Sequence, residues 1–478
     1  MRSLHIPGAP YWADRLPLGA LMIAVLLGCP AWTPTPPMSV ERGEHTATLL
    51  PDGRVLVAGG RDGEAFEPDD IWNIAEVYDP VTGAWSMAAP MLTARFDHAA
   101  ALLADGRVLV AGGRGADLED LASTEIYDPA IDAWSPAAPM GSAAGVWITV
   151  TPLLDGRALA VYGDHAEIYD APTNTWSPTA APLQARWGFT ATRLLDGRVL
   201  LTGGHPDPDL TQVPDLASAE IYDPEAGTFE PAGAMIGGRE HHTAVLLPDG
   251  RVFVAGGASE LTLLATTELY DPSTNTFQSA PPMVTPRLRI AAAALPNGEV
   301  LVTGGDVPFL IGYETTDSVE RYDSAAGVWQ PASAMLSTRS AHTLTPLLDG
   351  SALVAGGFHG SSVNDGFGYH DSAETTGDGL PVDPTTGAGG SAASSSSSAT
   401  GAASGSGGSS SATGAASGSG GSSSATGAAS GGGGHTPPAS GGGLGCTIRP
   451  AAPSTLSPFG LAASVLLLVA RRRRLRRA

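Results

Sequence analysis

The phrase Asp52-Gly-Arg-Val-Leu-Val-Ala-Gly-Gly60 returns in recognisable form at Asp105, Asp155, Asp196, Asp249, Asn297 and Asp349, at intervals of 53, 50, 41, 53, 48 and 52 residues. Self-similarity at such a period restricts the chain to a propeller, a solenoid or an array, because each unit buries its apolar face only against its neighbours. Each copy reads as a β-hairpin. Apolar runs such as Thr46-Ala-Thr-Leu-Leu50 and Arg54-Val-Leu-Val-Ala58 suit buried strands, and the Asp-Gly or Asn-Gly between them predicts a two-residue type I′ turn. The Gly-Gly that closes most copies permits a sharp backbone turn or a close strand approach. A third strand then ends in Tyr-Asp, at Tyr78, Tyr127, Tyr169, Tyr222, Tyr270 and Tyr322, and a fourth carries Trp85, Trp134, Trp176, Phe229, Phe277 or Trp329. Four strands per repeat and no helical pattern define an all-β fold.

The Gly-Gly doublet, the downstream Tyr-Asp and the aromatic at its fixed offset together resemble the kelch family of β-propellers over residues 30–388. The resemblance implies one four-stranded blade per copy and a seven-bladed kelch-type β-propeller. The third copy departs from the pattern, with Tyr162-Gly-Asp164 in place of Gly-Gly, which predicts a clipped loop. The seventh has its hairpin but only a faded Val382-Asp-Pro-Thr-Thr-Gly-Ala388 after it. The missing aromatic stands at the other end of the chain. Ala31-Trp32, then Met38 and Arg42-x-x-His45, matches Ala84-Trp85, then Met91 and Arg95-x-x-His98. The N-terminal strand is therefore expected to complete the last blade and close the ring, which removes sheet edges.

Flanking segments carry addressing signals. Residues 1–29 read as a secretory signal peptide, with Arg2 and Arg15 ahead of an apolar run. Leu26-Leu-Gly-Cys29 resembles a bacterial lipobox, which implies lipidation at Cys29; ordinary cleavage near Ala31 is the other reading. Residues 389–445 are nearly all Gly, Ser, Ala and Thr, predicting a disordered low-complexity linker with a random-coil reach on the order of 40 Å. Residues 446–478 hold Cys446, an uncharged stretch from Pro450 to Ala470 and, after it, six arginines, predicting a C-terminal transmembrane helix with its basic end cytoplasmic. That order resembles the MYXO-CTERM sorting tag, which implies cutting near Cys446 by a sorting protease and delivery to the cell surface. A permanent membrane anchor is the alternative.

Composition agrees with export to the cell surface or outer membrane. Cys29 and Cys446 are the only cysteines, so the repeats contain no disulfide and no thiolate nucleophile. The formal net charge is −23 and all 25 basic residues are Arg, nine of them in the two terminal signals. A body of that sign repels phosphate backbones, which argues against nucleic-acid partners.

Both ends of each hairpin fall on one face, with the variable loops 61–73, 114–123, 205–218, 258–266, 306–318 and 358–372, and recognition is expected there. The recurring Arg-x-x-His (Arg42/His45, Arg95/His98, Arg239/His242, Arg339/His342) is read as structural, because a residue repeated at one blade position serves the blade. The residue before each of those histidines varies, and in kelch adaptors the matching position carries an Arg that grips ligand at the channel mouth. By resemblance, Glu44, Asp97, His241 and Arg289 are the candidate ligand-binding residues. No catalytic residue, metal or cofactor is assigned. The loop 205–215 carries three Asp but lacks the spacing of a calcium loop. Galactose-oxidase-like kelch enzymes use copper with a Tyr cross-linked to Cys, and the absence of Cys argues against that chemistry. The expected function is a surface-anchored recognition module for a glycan, peptide or surface protein. The alternative is an extracytoplasmic kelch-type enzyme acting on a sugar, as epimerase, mutarotase or lyase.

Overall fold

The repeated phrase supplies the second strand of a sheet. The computed structural model describes residues 32–63, 70–207, 213–260, 262–309, 312–361, 366–376, 392–394 and 398–400. Within it, Thr46–Leu49, Val55–Ala58, Ala75–Asp79 and Ala84–Met87 pair in chain order as one antiparallel sheet. Sheets of the same strand order follow at 99–137, 149–178, 190–231, 243–280 and 291–331. One more is assembled from Thr343–Pro346, Ala352–Ala355, Ala373–Thr376 and Trp32–Pro34. The sheet at 291–331 also carries two short strands, Ala392–Ser394 and Ser398–Thr400, on its inner edge. This all-β set of four-stranded antiparallel sheets is the architecture of a β-propeller.

Val55–Ala58 is buried at all four positions because a neighbouring sheet covers each face, which explains the unbroken apolar run. One core cluster joins Leu56 and Val77 to Val108, Val110 and Trp134 of the next sheet. Another joins Leu353 and Ala355 of the last sheet to Val55, Val57 and Tyr78 of the first. Each Tyr of a Tyr-Asp pair lies directly across from the aromatic of the fourth strand, as in Tyr78↔Trp85, with ring centroids 5.1 Å apart.

Two local expectations change. The Asp-Gly hairpins are three-residue loops: Gly53 N–H donates to Leu50 C=O (3.0 Å), Leu50 N–H donates to Arg54 C=O (2.7 Å), and only Gly53 has positive φ, at 89°. That is a type I turn closed by a left-handed glycine. Asp52 prefers it because its carboxylate there accepts the Arg54 amide (3.1 Å) and guanidinium. The third strand of the last sheet is Ala373-Glu-Thr-Thr376, and the Val382–Ala388 segment expected to supply it lies outside the described residues. Strand 373–376 lacks the Tyr, but its Glu374 holds the place that Glu76 holds in the first sheet.

The third repeat folds with its clipped loop, Tyr162 pairing with His165 across two residues. Both termini lie outside the described residues, with Cys29, Cys446 and the stretch 450–470. Among the described residues no helix is long and apolar enough to cross a membrane.

Candidate functional site

Each repeat enters its innermost strand through a residue in the left-handed region. Glu44, Asp97, Trp147, Gly188, His241, Arg289 and Ala341 have φ of 56°, 52°, 66°, 66°, 52°, 52° and 48°. Backbone hydrogen bonds run from one to the next: Asp97 N–H to Glu44 C=O (3.0 Å), His241 to Gly188 (2.9 Å), Arg289 to His241 (3.3 Å) and Ala341 to Arg289 (3.1 Å). The four sequence candidates thus occupy equivalent stations of one circuit. Asp97 is half-buried.

The conformation comes from the framework beneath. Gly59 and Gly60 turn at φ 66° and 94°, and a Cβ on Gly59 would stand 2.6 Å from the Arg95 carbonyl, so only glycine fits under the next repeat's entry strand. Arg95 donates Nη1 to the carbonyls of Gly112 and Ser123 (2.8 and 3.0 Å) and Nη2 to Glu125 (2.8 Å). Glu125 in turn accepts the Leu92 and Thr93 amides, at 2.6 and 3.0 Å. The same buried Arg–Glu pair joins 42/76, 186/220, 239/268, 287/320 and 339/374. In the third repeat Ala144 replaces the Arg, and Glu167 takes the Tyr162 hydroxyl and the Gly141 amide instead.

The histidines of Arg-x-x-His are structural ties between sheets. Nε2 of His98 meets Thr46 Oγ1 (3.0 Å), His342 meets Thr303 (2.7 Å), and His45 meets Thr343 (3.2 Å), each on the preceding sheet. Burial, with Arg42 and Arg339 adding repulsion, lowers His45 to about 3. Burial likewise holds His98, His242 and His342 well below the usual imidazole value.

A second layer backs the circuit, and sequence reasoning missed it. The residue after Gly-Gly lies 17 positions beyond the left-handed one and turns toward it. Arg61 pairs with Glu44 and packs over the Phe96 and Tyr369 rings, 5.1 and 5.7 Å from their centroids. Arg289 donates Nε to Asp306 (2.6 Å) and lies 4.7 Å from the Phe358 centroid. Opposite charges at that spacing, 44/61, 97/114 and 289/306, were the legible signal. Trp147 was missed because its repeat lacks Arg-x-x-His; it reaches across Gly188 to set its ring edge-on to His241, 5.5 Å between centroids. His241 Nε2 is 3.6 Å from Glu240 Oε2.

Burial raises Asp97 to about 8, and repulsion from Glu44 adds to it, against the pull of Arg61, Arg114 and Arg289. Asp306, enclosed beneath Arg289, is raised by burial. In the loop at 205–215, His205 faces the Asp207 and Val213 carbonyls at 2.7 and 2.9 Å; residues 208–212 lie outside the described residues. Among the described residues no group of three His, Cys, Asp or Glu side chains is placed to hold a metal.

The kelch motif matches residues 45–92, 95–141 and 241–284, so the chain carries kelch repeats. It is 31% identical over 223 residues to kelch-like protein 25 of Xenopus tropicalis, covering 43% of this chain and 35% of that protein. It is 27% identical over 264 residues to galactose oxidase of Gibberella zeae, covering 48% of this chain and 37% of that one. The chain thus spans little more than a third of these relatives. A solved fungal alcohol oxidase of the AA5 family, in complex with copper, superposes with a TM-score of 0.59 at 18% identity, covering 73% of this chain and 76% of that one, a likeness of fold. No Cys stands between 30 and 445, so a Tyr cross-linked to Cys cannot form within the repeats.

Proposed function

We propose that this chain is an exported, surface-anchored seven-bladed propeller, closed by its N-terminal strand, that works as a recognition module. Its ligand, a glycan, a peptide or another surface protein, docks at the mouth bounded by Glu44, Asp97, His241 and Arg289. One observation carries the reading: seven stations share one backbone conformation yet carry Glu, Asp, Trp, Gly, His, Arg and Ala. A framework held constant while its side chains diverge is how recognition surfaces are built on rigid scaffolds. The lipobox-like Cys29, the Gly/Ser/Ala-rich sequence after Thr400 and the Arg-rich end support lipidation, a spacer and membrane attachment.

The second reading, an extracytoplasmic enzyme acting on a sugar, draws on the likeness to galactose oxidase and on the acids Glu44 and Asp97, which lie side by side at the mouth. Glycan-array and surface-peptide binding by the purified chain, beside a turnover screen on sugars, separates the two. Binding lost in His241→Ala and Arg289→Ala variants of native fold supports recognition. Turnover lost in the same variants establishes the enzyme.

A further inference from the structure

We infer that the mouth selects a small zwitterion, a free amino acid, holding its ammonium group on the Glu44/Asp97 side and its carboxylate on the His241/Arg289 side. This rests on the mouth being the binding surface and names the ligand chemistry that surface prefers.

The two acids are consecutive stations, Asp97 N–H donating to Glu44 C=O at 3.0 Å; the two nitrogenous bases are also consecutive, Arg289 N–H donating to His241 C=O at 3.3 Å. Neutral residues separate the two arcs on both sides: Trp147 and Gly188 at one seam, Ala341 at the other. The inner ring is therefore polar across its diameter, and Arg289 is near enough for its charge to act on Asp97.

The backing layer reverses this order. Arg61 and Arg114 stand behind the acids, and Asp306 and Glu240 behind Arg289 and His241. Counter-charges set behind a group fix its orientation and leave its forward edge for a ligand. Arg289 turns Nε and Nη2 to Asp306, and Nη1 has no partner among the described residues. No donor among the described residues reaches the half-buried Asp97 carboxyl. An ammonium group draws Asp97 into its charged form, the proton held there passing to solvent, and a carboxylate answers Arg289, both through charge-assisted hydrogen bonds. A ligand bearing only one charge satisfies one arc and meets like charge on the other, and a neutral sugar leaves both without a counter-charge.

The test is calorimetric titration of the full exported chain with the twenty standard amino acids and with β-alanine and 4-aminobutyrate. Ethylamine, propionate and glucose serve as single-charge and neutral probes, and circular dichroism checks the fold of Asp97→Asn and Arg289→Gln. We expect at least one amino acid to bind tenfold or more tightly than ethylamine and propionate, with each variant weakening it tenfold or more. The inference is overturned if no amino acid binds, if ethylamine or propionate alone binds as tightly, or if both folded variants bind like the parent. Glucose or an array glycan bound through His241, with amino acids ignored, overturns the zwitterion and leaves the recognition module standing. Array and peptide binding indifferent to every mouth substitution defeats the module reading itself.

Discussion

Asp97 donates its backbone N–H to the Glu44 carbonyl across 3.0 Å, so two acidic residues from adjacent sheets occupy neighbouring stations of the circuit. Burial and then Glu44 raise Asp97 to about 8 from an ordinary 3.8. The native chain therefore holds a proton that the unfolded chain has released, and this group's contribution to stability is complete below 3.8 and lost as pH rises toward 8. Asp97→Asn removes that dependence. We expect the variant to melt at a higher temperature than the parent at pH 9 and to differ little at pH 4; parallel melting curves across that range would contradict a buried, proton-holding Asp97.

The four buried histidines act at the other end of the pH scale. Their folded values lie below the ordinary 6.5, so they are neutral in the native state and charge on unfolding. Their contribution is complete above 6.5 and lost as pH falls, each subtracting about 1.4 kcal/mol per pH unit until its folded value is reached. Chemical denaturation between pH 7 and 4 is expected to show a steep loss of stability. His98→Gln should flatten that slope by about one proton, and an unchanged slope would mean that His98 is already charged when folded.

Arg95 and Glu125, 2.8 Å apart and almost wholly enclosed, unite the Gly-Gly turn, the third strand and the chain that enters the repeat. Removing one partner strands a buried charge and costs about 3–5 kcal/mol. Arg95→Met is expected to lower denaturant stability by that order, and the Arg95→Met/Glu125→Gln double variant to recover part of it. Additive losses would show the two residues to be energetically independent.

Much of this architecture could be read from the chain because the period, the Gly-Gly doublets and the Tyr–aromatic pairs are local and repeated. The positions of Glu44, Asp97, His241 and Arg289 were legible because they vary two residues after a recurring Arg. Trp147 was hidden because Ala144 and Ile148 replace the Arg and His that frame the position elsewhere. Asp306 and Arg61 were hidden because their partners lie 17 residues away, a distance set by the hairpin between them. The turn type was misread because Asp-Gly fits two loop lengths; the side chain of Asp52, bonded to the Arg54 amide, decides for the longer. Strand 373–376 escaped because it keeps the buried Glu and lacks the Tyr used to find its counterparts.

Trp32 tests the ring as a whole. Its strand is the outer edge of the last sheet, in register with Thr376, Thr375 and Glu374, and its indole N–H donates to the Ser333 carbonyl at 2.9 Å. The ring packs among Val319, Met335 and Leu344, so one residue near the start of the described chain ties strand 373–376 to the sheet before it. His45 supplies the inner tie, its Nε2 3.2 Å from Thr343 Oγ1. Trp32→Ala removes the packing and the hydrogen bond together, a loss of about 3–5 kcal/mol for a large buried aromatic. Because the lost contacts lie at the seam, hydrogen exchange should accelerate first in 343–376 and 46–58, ahead of the sheets at 149–231. Exchange rising evenly around all the sheets, or a melting temperature unmoved by Trp32→Ala, would show that the N-terminal strand does not hold the ring shut.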